Sequence, residues 1–285
     1  MKVSSVSAVK QTYNHPQSRV PMHQFIKYES KQSASGLVAT VTVANEAMHN
    51  SLPAEGRREL AEVFGEVSAL PDLRCVVLTG AGEKAFISGS NINQMAGFNS
   101  VAEAQAASFN THLACDAIRN CPVPVIGRIN GYCLGAGMII AASCDMRIAS
   151  KGSRFGMPEV KYGIPSAMET CLLPRLIGWG KTMQLVYTAQ FMEDDEAHRL
   201  GFLQSVVDRA ELDDAVSTWV DAILAAGPNA IRLQKQLTHD WERMGTTDAI
   251  FAGVQAIGAA HRTGEPKERI LAFIQNRERK RLAST

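Results

Sequence analysis

The chain has 285 residues, 46% of them hydrophobic and 20% charged, with Lys and Arg outnumbering Asp and Glu by 29 to 28. That length and balance fit a globular protein built on one large α/β domain, or on a domain with a helical appendage, and exclude a disordered or collagen-like chain. A formal net charge of +1 gives no bulk electrostatic ground for binding nucleic acid or a membrane surface.

Residues 1–24 are rich in Ser, Gln and Val and lack the apolar core of a signal peptide, so they are expected to form a flexible tail. From there strand-like and helix-like patterns alternate. Leu37–Val43 alternates with period two and is rich in Val and Thr, which predicts a strand. Pro53 opens a helix to about Leu70, with Leu60, Val63, Phe64 and Val67 on one face. Arg74–Thr79 predicts a short buried strand, followed by a loop and the apolar Ala85–Ile87. A helix is expected over 101–120, a strand over 124–129 and a glycine-punctuated turn over 131–137. The small apolar helix 138–143 and the strand 145–149 follow. Beyond about residue 165 the pattern is mostly helical, interrupted by a strand-like piece at 203–207, with helices near 211–226, 228–243, 246–262 and 266–281. Strands separated by helices point to parallel β-structure with right-handed crossovers.

Six cysteines (75, 115, 121, 133, 144 and 171) form no Cys-x-x-Cys pair, and most lie in apolar runs. This favours buried reduced thiols in a cytoplasmic setting over zinc or disulfides. No metal site is expected. Gly180-Lys181-Thr182 resembles the end of a phosphate-binding loop, but Arg175 stands where that loop needs its first glycine. Ser88-Gly89-Ser90 lacks the flanking glycine of a nucleophile elbow.

Two glycine-containing loops each follow an expected buried strand. The first is Ala85-Phe-Ile-Ser-Gly-Ser-Asn-Ile-Asn93 and the second Asn130-Gly-Tyr-Cys-Leu-Gly-Ala-Gly137, which opens a helix. A helix N-terminus leaves N–H groups without partners and carries partial positive charge, and small residues allow a ligand close to the backbone. Two such loops on neighbouring strands can aim two N–H groups at one oxygen, the arrangement that stabilises an enolate or a tetrahedral intermediate. Tight turns needed only for packing would use the same glycines.

These loops, with Ser143-Cys-Asp-Met-Arg-Ile-Ala149, Phe155-Gly-Met-Pro-Glu-Val160 and Leu173-Pro-Arg-Leu-Ile-Gly178, resemble the crotonase (enoyl-CoA hydratase/isomerase) superfamily in order and spacing over about residues 25–282. The resemblance implies an α/β fold: a crotonase-like spiral of β-β-α turns over 25–208 and a C-terminal helical region over 209–285. It also implies a homotrimer or dimer of trimers, and an acyl-CoA thioester substrate of the kind met in fatty acid metabolism. Coenzyme A would enter as part of the substrate, with no separate cofactor.

Carried onto this sequence, the resemblance places the oxyanion donors at the backbone N–H groups of Ser90 and Ala136. It sets Ser88, Asn91, Ile92 and Asn93 beside the acyl-CoA, with Tyr132 and Ile139 from the second loop and its helix. Met48 and Ser51 belong to the segment that passes the CoA nucleotide, whose usual Arg-Pro opening is here Asn45-Glu46. Hydratases of the superfamily use two glutamates. The first position is Ile139, which cannot transfer a proton, and the second is kept as Glu159. A single glutamate there resembles the Δ3-Δ2-enoyl-CoA isomerase pattern, in which one base removes a proton and returns it elsewhere. Glu169 stands in a segment that is glycine-rich in many members. It is either a first-turn helix acid or a relocated second catalytic acid.

Overall fold

A computed structural model describes residues 23–283. The expected tail over 1–24 lies, except for His23 and Gln24, outside the described residues. The described chain opens with a hairpin, β1 (Ile26–Ser33) antiparallel to β2 (Gly36–Val43), with Ile26 opposite Val43. The alternation along β2 buries Ala39, Val41 and Val43 completely. In β1 only Ile26 is buried. This polar segment was not expected as a strand; it lies at the sheet edge, where β2 satisfies one side of its backbone.

Helix α1 (Ala54–Ser68) leads to β3 (Leu73–Gly80), which is buried at every residue, and then to β4 (Ala85–Ile87). Helices α2 (Ile92–Ala96) and α3 (Val101–Arg119) close this turn. The next turn is β5 (Val125–Ile129), β6 (Tyr132–Leu134) and α4 (Ala136–Ser143). The third is β7 (Met146–Ser150), β8 (Arg154–Gly156) and α5 (Leu173–Thr188). In each turn the longer strand joins one sheet and the shorter strand a second, so the chain winds as a β-β-α spiral. With β9 (Phe191–Glu193), α6 (Asp194–Arg199) and β10 (Ser205–Val207) added, the sheets run β1-β2-β3-β5-β7-β10 and β4-β6-β8-β9. All pairings are parallel except β1–β2 and β8–β9.

Helix α5 is broken at Gly178 (φ 76°, ψ 157°). Lys181 of the phosphate-loop look-alike is inside α5 and pairs with Glu196 at 2.7 Å. Helix α7 (Leu212–Ala225) packs Leu212 and Val216 against Val77 and Ile148 of the larger sheet. Beyond it run α8 (Pro228–Trp241), α9 (Thr246–Arg262) and α10 (Glu265–Ala283), the last two without a buried residue. Five cysteines are buried, as expected, but Cys171 is exposed, because it sits on a 3-10 turn, Met168–Leu172, outside the core. Among the described residues no helix is long and apolar enough to cross a membrane.

Candidate active site

The two glycine loops meet at the point where β4 and β6 lie side by side. Leu52 N–H donates to the Gly89 carbonyl at 2.9 Å, and Asn91 N–H donates to the Leu52 carbonyl at 3.1 Å. Ser90 lies between these bonds. On the second loop, Gly135 adopts φ 52° and ψ −120°, and Ala136 is the first residue of α4. Among the described residues no backbone carbonyl accepts from the N–H of Ser90 or Ala136. A Cβ at Gly135 would sit 3.9 Å from Gly89 Cα and 2.7 Å from Glu159 Oε1. The positive φ is what favours glycine here, and an added Cβ would press on the Glu159 carboxyl while only touching Gly89. A Cβ at Gly137 would collide with the Ile87 carbonyl, so that glycine lets α4 seat on β4. Buried Asn130 ties the second loop to the β3–β4 connection by donating to the Gly80 and Gly82 carbonyls at 2.9 and 2.6 Å.

Glu159 opens the 3-10 turn that follows β8. Its Oε2 accepts from Ser166 Oγ at 2.8 Å. Burial pushes its carboxyl above the ordinary range, while hydrogen bonds from its own backbone and from Ser166 pull part of the way back. Ser90, Ala136, Ile139 and Glu159 all line one cavity of about 180 Å3, walled elsewhere by apolar residues such as Met95, Phe98 and Met157.

The other expected residues lie outside that cavity. Met48, Ser51 and Ser88 are neighbours: Ser51 N–H donates to the Met48 carbonyl at 3.0 Å, and Ser88 Oγ donates to the same carbonyl at 3.5 Å. The Asn91 side chain caps α2 by accepting from Gln94 N–H at 3.1 Å. Ile92, Asn93 and Tyr132 are exposed.

Glu169 and Glu159 line separate cavities. Met168 adopts φ 56°, a left-handed conformation that costs a non-glycine residue roughly 1–2 kcal/mol. Glu169 follows it into the wall of a neighbouring cavity shared with His112, Phe109 and Cys171. There its Oε1 lies 2.6 Å from His112 Nδ1, and among the described residues its Oε2 is buried without a hydrogen-bond partner.

Arg57 was not expected in the site. It is 3% exposed and lines the Glu159 cavity. Its Nη1 donates to the Leu52 carbonyl at 2.7 Å and its Nη2 to the Ala107 carbonyl at 3.0 Å. Burial lowers its guanidinium pKa to about 10, which leaves it charged at neutral pH. The signal was present in the sequence: Arg57 falls on the stripe that continues through Leu60, Phe64 and Val67, where an apolar residue belongs.

The sequence profile of the enoyl-CoA hydratase/isomerase family matches residues 33–280. The chain belongs to this family. Membership makes it an enzyme of the crotonase superfamily, and the β-β-α spiral agrees. The short-chain-enoyl-CoA hydratase of Clostridium acetobutylicum is 35% identical over 244 residues, covering 85% of this chain and 93% of that one. The (E)-benzylidenesuccinyl-CoA hydratase of Thauera aromatica is 32% identical over 249 residues, 85% of this chain and 94% of that one. The crystal structure of an enoyl-CoA hydratase from Bacillus anthracis superposes with a TM-score of 0.83 at 29% identity, over 89% of this chain and 97% of that one.

Proposed function

We propose that the enzyme binds a short enoyl-CoA thioester, polarises its carbonyl with the N–H groups of Ser90 and Ala136, and moves a proton along the acyl group with Glu159. One observation carries this reading. Of the side chains lining the cavity, Glu159 is the one carboxyl that can take and return a proton, since Arg57 holds its proton to about pH 10 and Ile139 has none to exchange. Met48, Ser51, Ser88, Asn91, Ile92, Asn93 and Tyr132 would then form the outer rim that the CoA portion passes.

In this reaction the Glu159 carboxylate removes a proton from the α-carbon of a β,γ-enoyl thioester. The C–H electron pair enters a dienolate whose negative oxygen faces the two amides, and the partial positive charge at the α4 N-terminus adds to the stabilisation. Glu159 then returns the proton at the γ-carbon, leaving the α,β-isomer. A raised carboxyl pKa suits both halves, because the base must release what it takes.

Hydration is the second reading, favoured by the hydratase names of the Clostridium and Thauera relatives. It needs a second proton carrier, for which Glu169 is the candidate, reaching in from the neighbouring cavity. Turnover of a panel of CoA thioesters, read by mass spectrometry, separates the readings: isomerisation leaves the mass unchanged and hydration adds one water. No turnover across the panel would sink both.

The base must be ionised to act, so kcat/KM should fall as pH drops through the raised Glu159 pKa. Ser166→Ala removes a donor that favours the charged carboxylate. The acid limb of the pH profile should therefore move to higher pH, and an unmoved limb would show that a different group titrates.

We also propose a trimer-based assembly. Ile250, Phe251, Val254 and Ile257 on α9, and Ile270, Leu271, Phe273 and Ile274 on α10, are exposed in the single chain. Apolar faces of that extent call for a covering surface. Light scattering should give a mass of three or six chains, and a stable monomer at micromolar concentration would overturn the assembly.

A further inference from the structure

The cavity that holds Glu159 is also lined by the Arg57 guanidinium. The Arg57 side chain is buried, and among the described residues it enters no ion pair. The carboxylate that acts on it most is Glu55, which is exposed and accepts instead from Gln94 Nε2 at 2.9 Å. Two of the guanidinium donors are given to neutral carbonyls, and among the described residues Nε is buried without a partner. A methionine or leucine at this point of the α1 stripe would fill the space without that cost, because an unpaired buried charge is unfavourable unless a partner arrives. Among the residues lining this cavity, Glu159 is the one carboxylic acid, and burial drives it toward its neutral form. The cavity lining is therefore biased toward positive charge at the Arg57 wall. A guanidinium fork matches a carboxylate in shape and charge.

Resting on the acyl-CoA reading above, we propose that Arg57 recognises a carboxylate at the far end of the acyl group, so that the preferred substrates are short thioesters of dicarboxylic acids. The thioester carbonyl lies at Ser90 and Ala136, the reacting carbons face Glu159, and the terminal carboxylate lies against the Arg57 guanidinium and balances its charge. A cavity of about 180 Å3 fits a short acyl group of this kind.

The test uses saturated thioesters, which cannot react, so that recognition is read apart from chemistry. Binding of glutaryl-CoA and pentanoyl-CoA, which have the same chain length and differ in a terminal carboxylate against a methyl, is measured by calorimetry on the full chain. Glutaryl-CoA should bind at least about tenfold more tightly. The gap should close in Arg57→Met and persist in reduced form in Arg57→Lys, which keeps the charge and loses the fork. Equal binding of the two thioesters by the unaltered enzyme overturns the proposal, and that comparison needs no variant to fold. Binding of neither overturns the acyl-CoA reading and this proposal with it. A gap that survives Arg57→Met in protein with unchanged circular dichroism assigns the carboxylate to another residue and also overturns it.

Discussion

Replacing Glu159 with glutamine is expected to lower turnover about 10²–10⁴-fold while acyl-CoA binding persists. The amide keeps the volume and still accepts from Ser166 Oγ, but cannot take a proton. The same variant carries a stability test whose sign is fixed. Burial raises the Glu159 pKa in the folded state, so between the unfolded and folded values the folded chain binds more protons. Its contribution to stability falls as pH rises through that window and stays low above it. Glu159→Gln removes the charged form and should be at least as stable as the parent at neutral pH, measured as Tm. Full activity in this variant would show that another group moves the proton. A lower Tm would show that the carboxylate is held by interactions stronger than its burial.

Gly137→Ala should be the most damaging single methyl in the site. The added carbon meets the Ile87 carbonyl, a backbone atom that cannot rotate away, so α4 must lift from β4 and carry Ala136 with it. The expected cost is about 3 kcal/mol in denaturant unfolding, the upper part of the range for overpacking, together with loss of turnover. Gly65→Ala is the matching control. Gly65 lies within α1, and a Cβ there meets nothing within 4 Å. That substitution should stabilise by about 0.5–1 kcal/mol through helix propensity, with activity intact. Equal tolerance of both substitutions would mean that α4 is not held against β4 in the way the structure places it.

Much of the framework is readable in the sequence because it rests on local patterns. β2 alternates, and the centre of β3, Cys75-Val-Val-Leu78, is a continuous apolar run of the kind a strand buried on both faces requires. Helix α9 falls on its expected bounds. β1 and β9 were not legible, since their residues are mostly exposed and their pairing is decided by partners distant in sequence. The glycine loops were legible because Gly135 and Gly137 answer to backbone geometry and close approach, which few other residues satisfy. The direction of Glu169 was not. It depends on the left-handed turn at Met168, a conformation that nothing in a methionine announces. Arg57 was legible in principle, as a charge on an apolar stripe, but its meaning needed the cavity on which that stripe borders.

The central claim is that Glu159 carries the proton to and from a thioester held at Ser90 and Ala136. It is tested most directly by incubating a short β,γ-enoyl-CoA with the enzyme in deuterated water and following the acyl group by mass spectrometry. The account predicts the α,β-isomer with no water added, deuterium at the γ-carbon in part of the product, and neither change with Glu159→Gln. A product heavier by one water, or isomerisation that continues unchanged in Glu159→Gln, would contradict it.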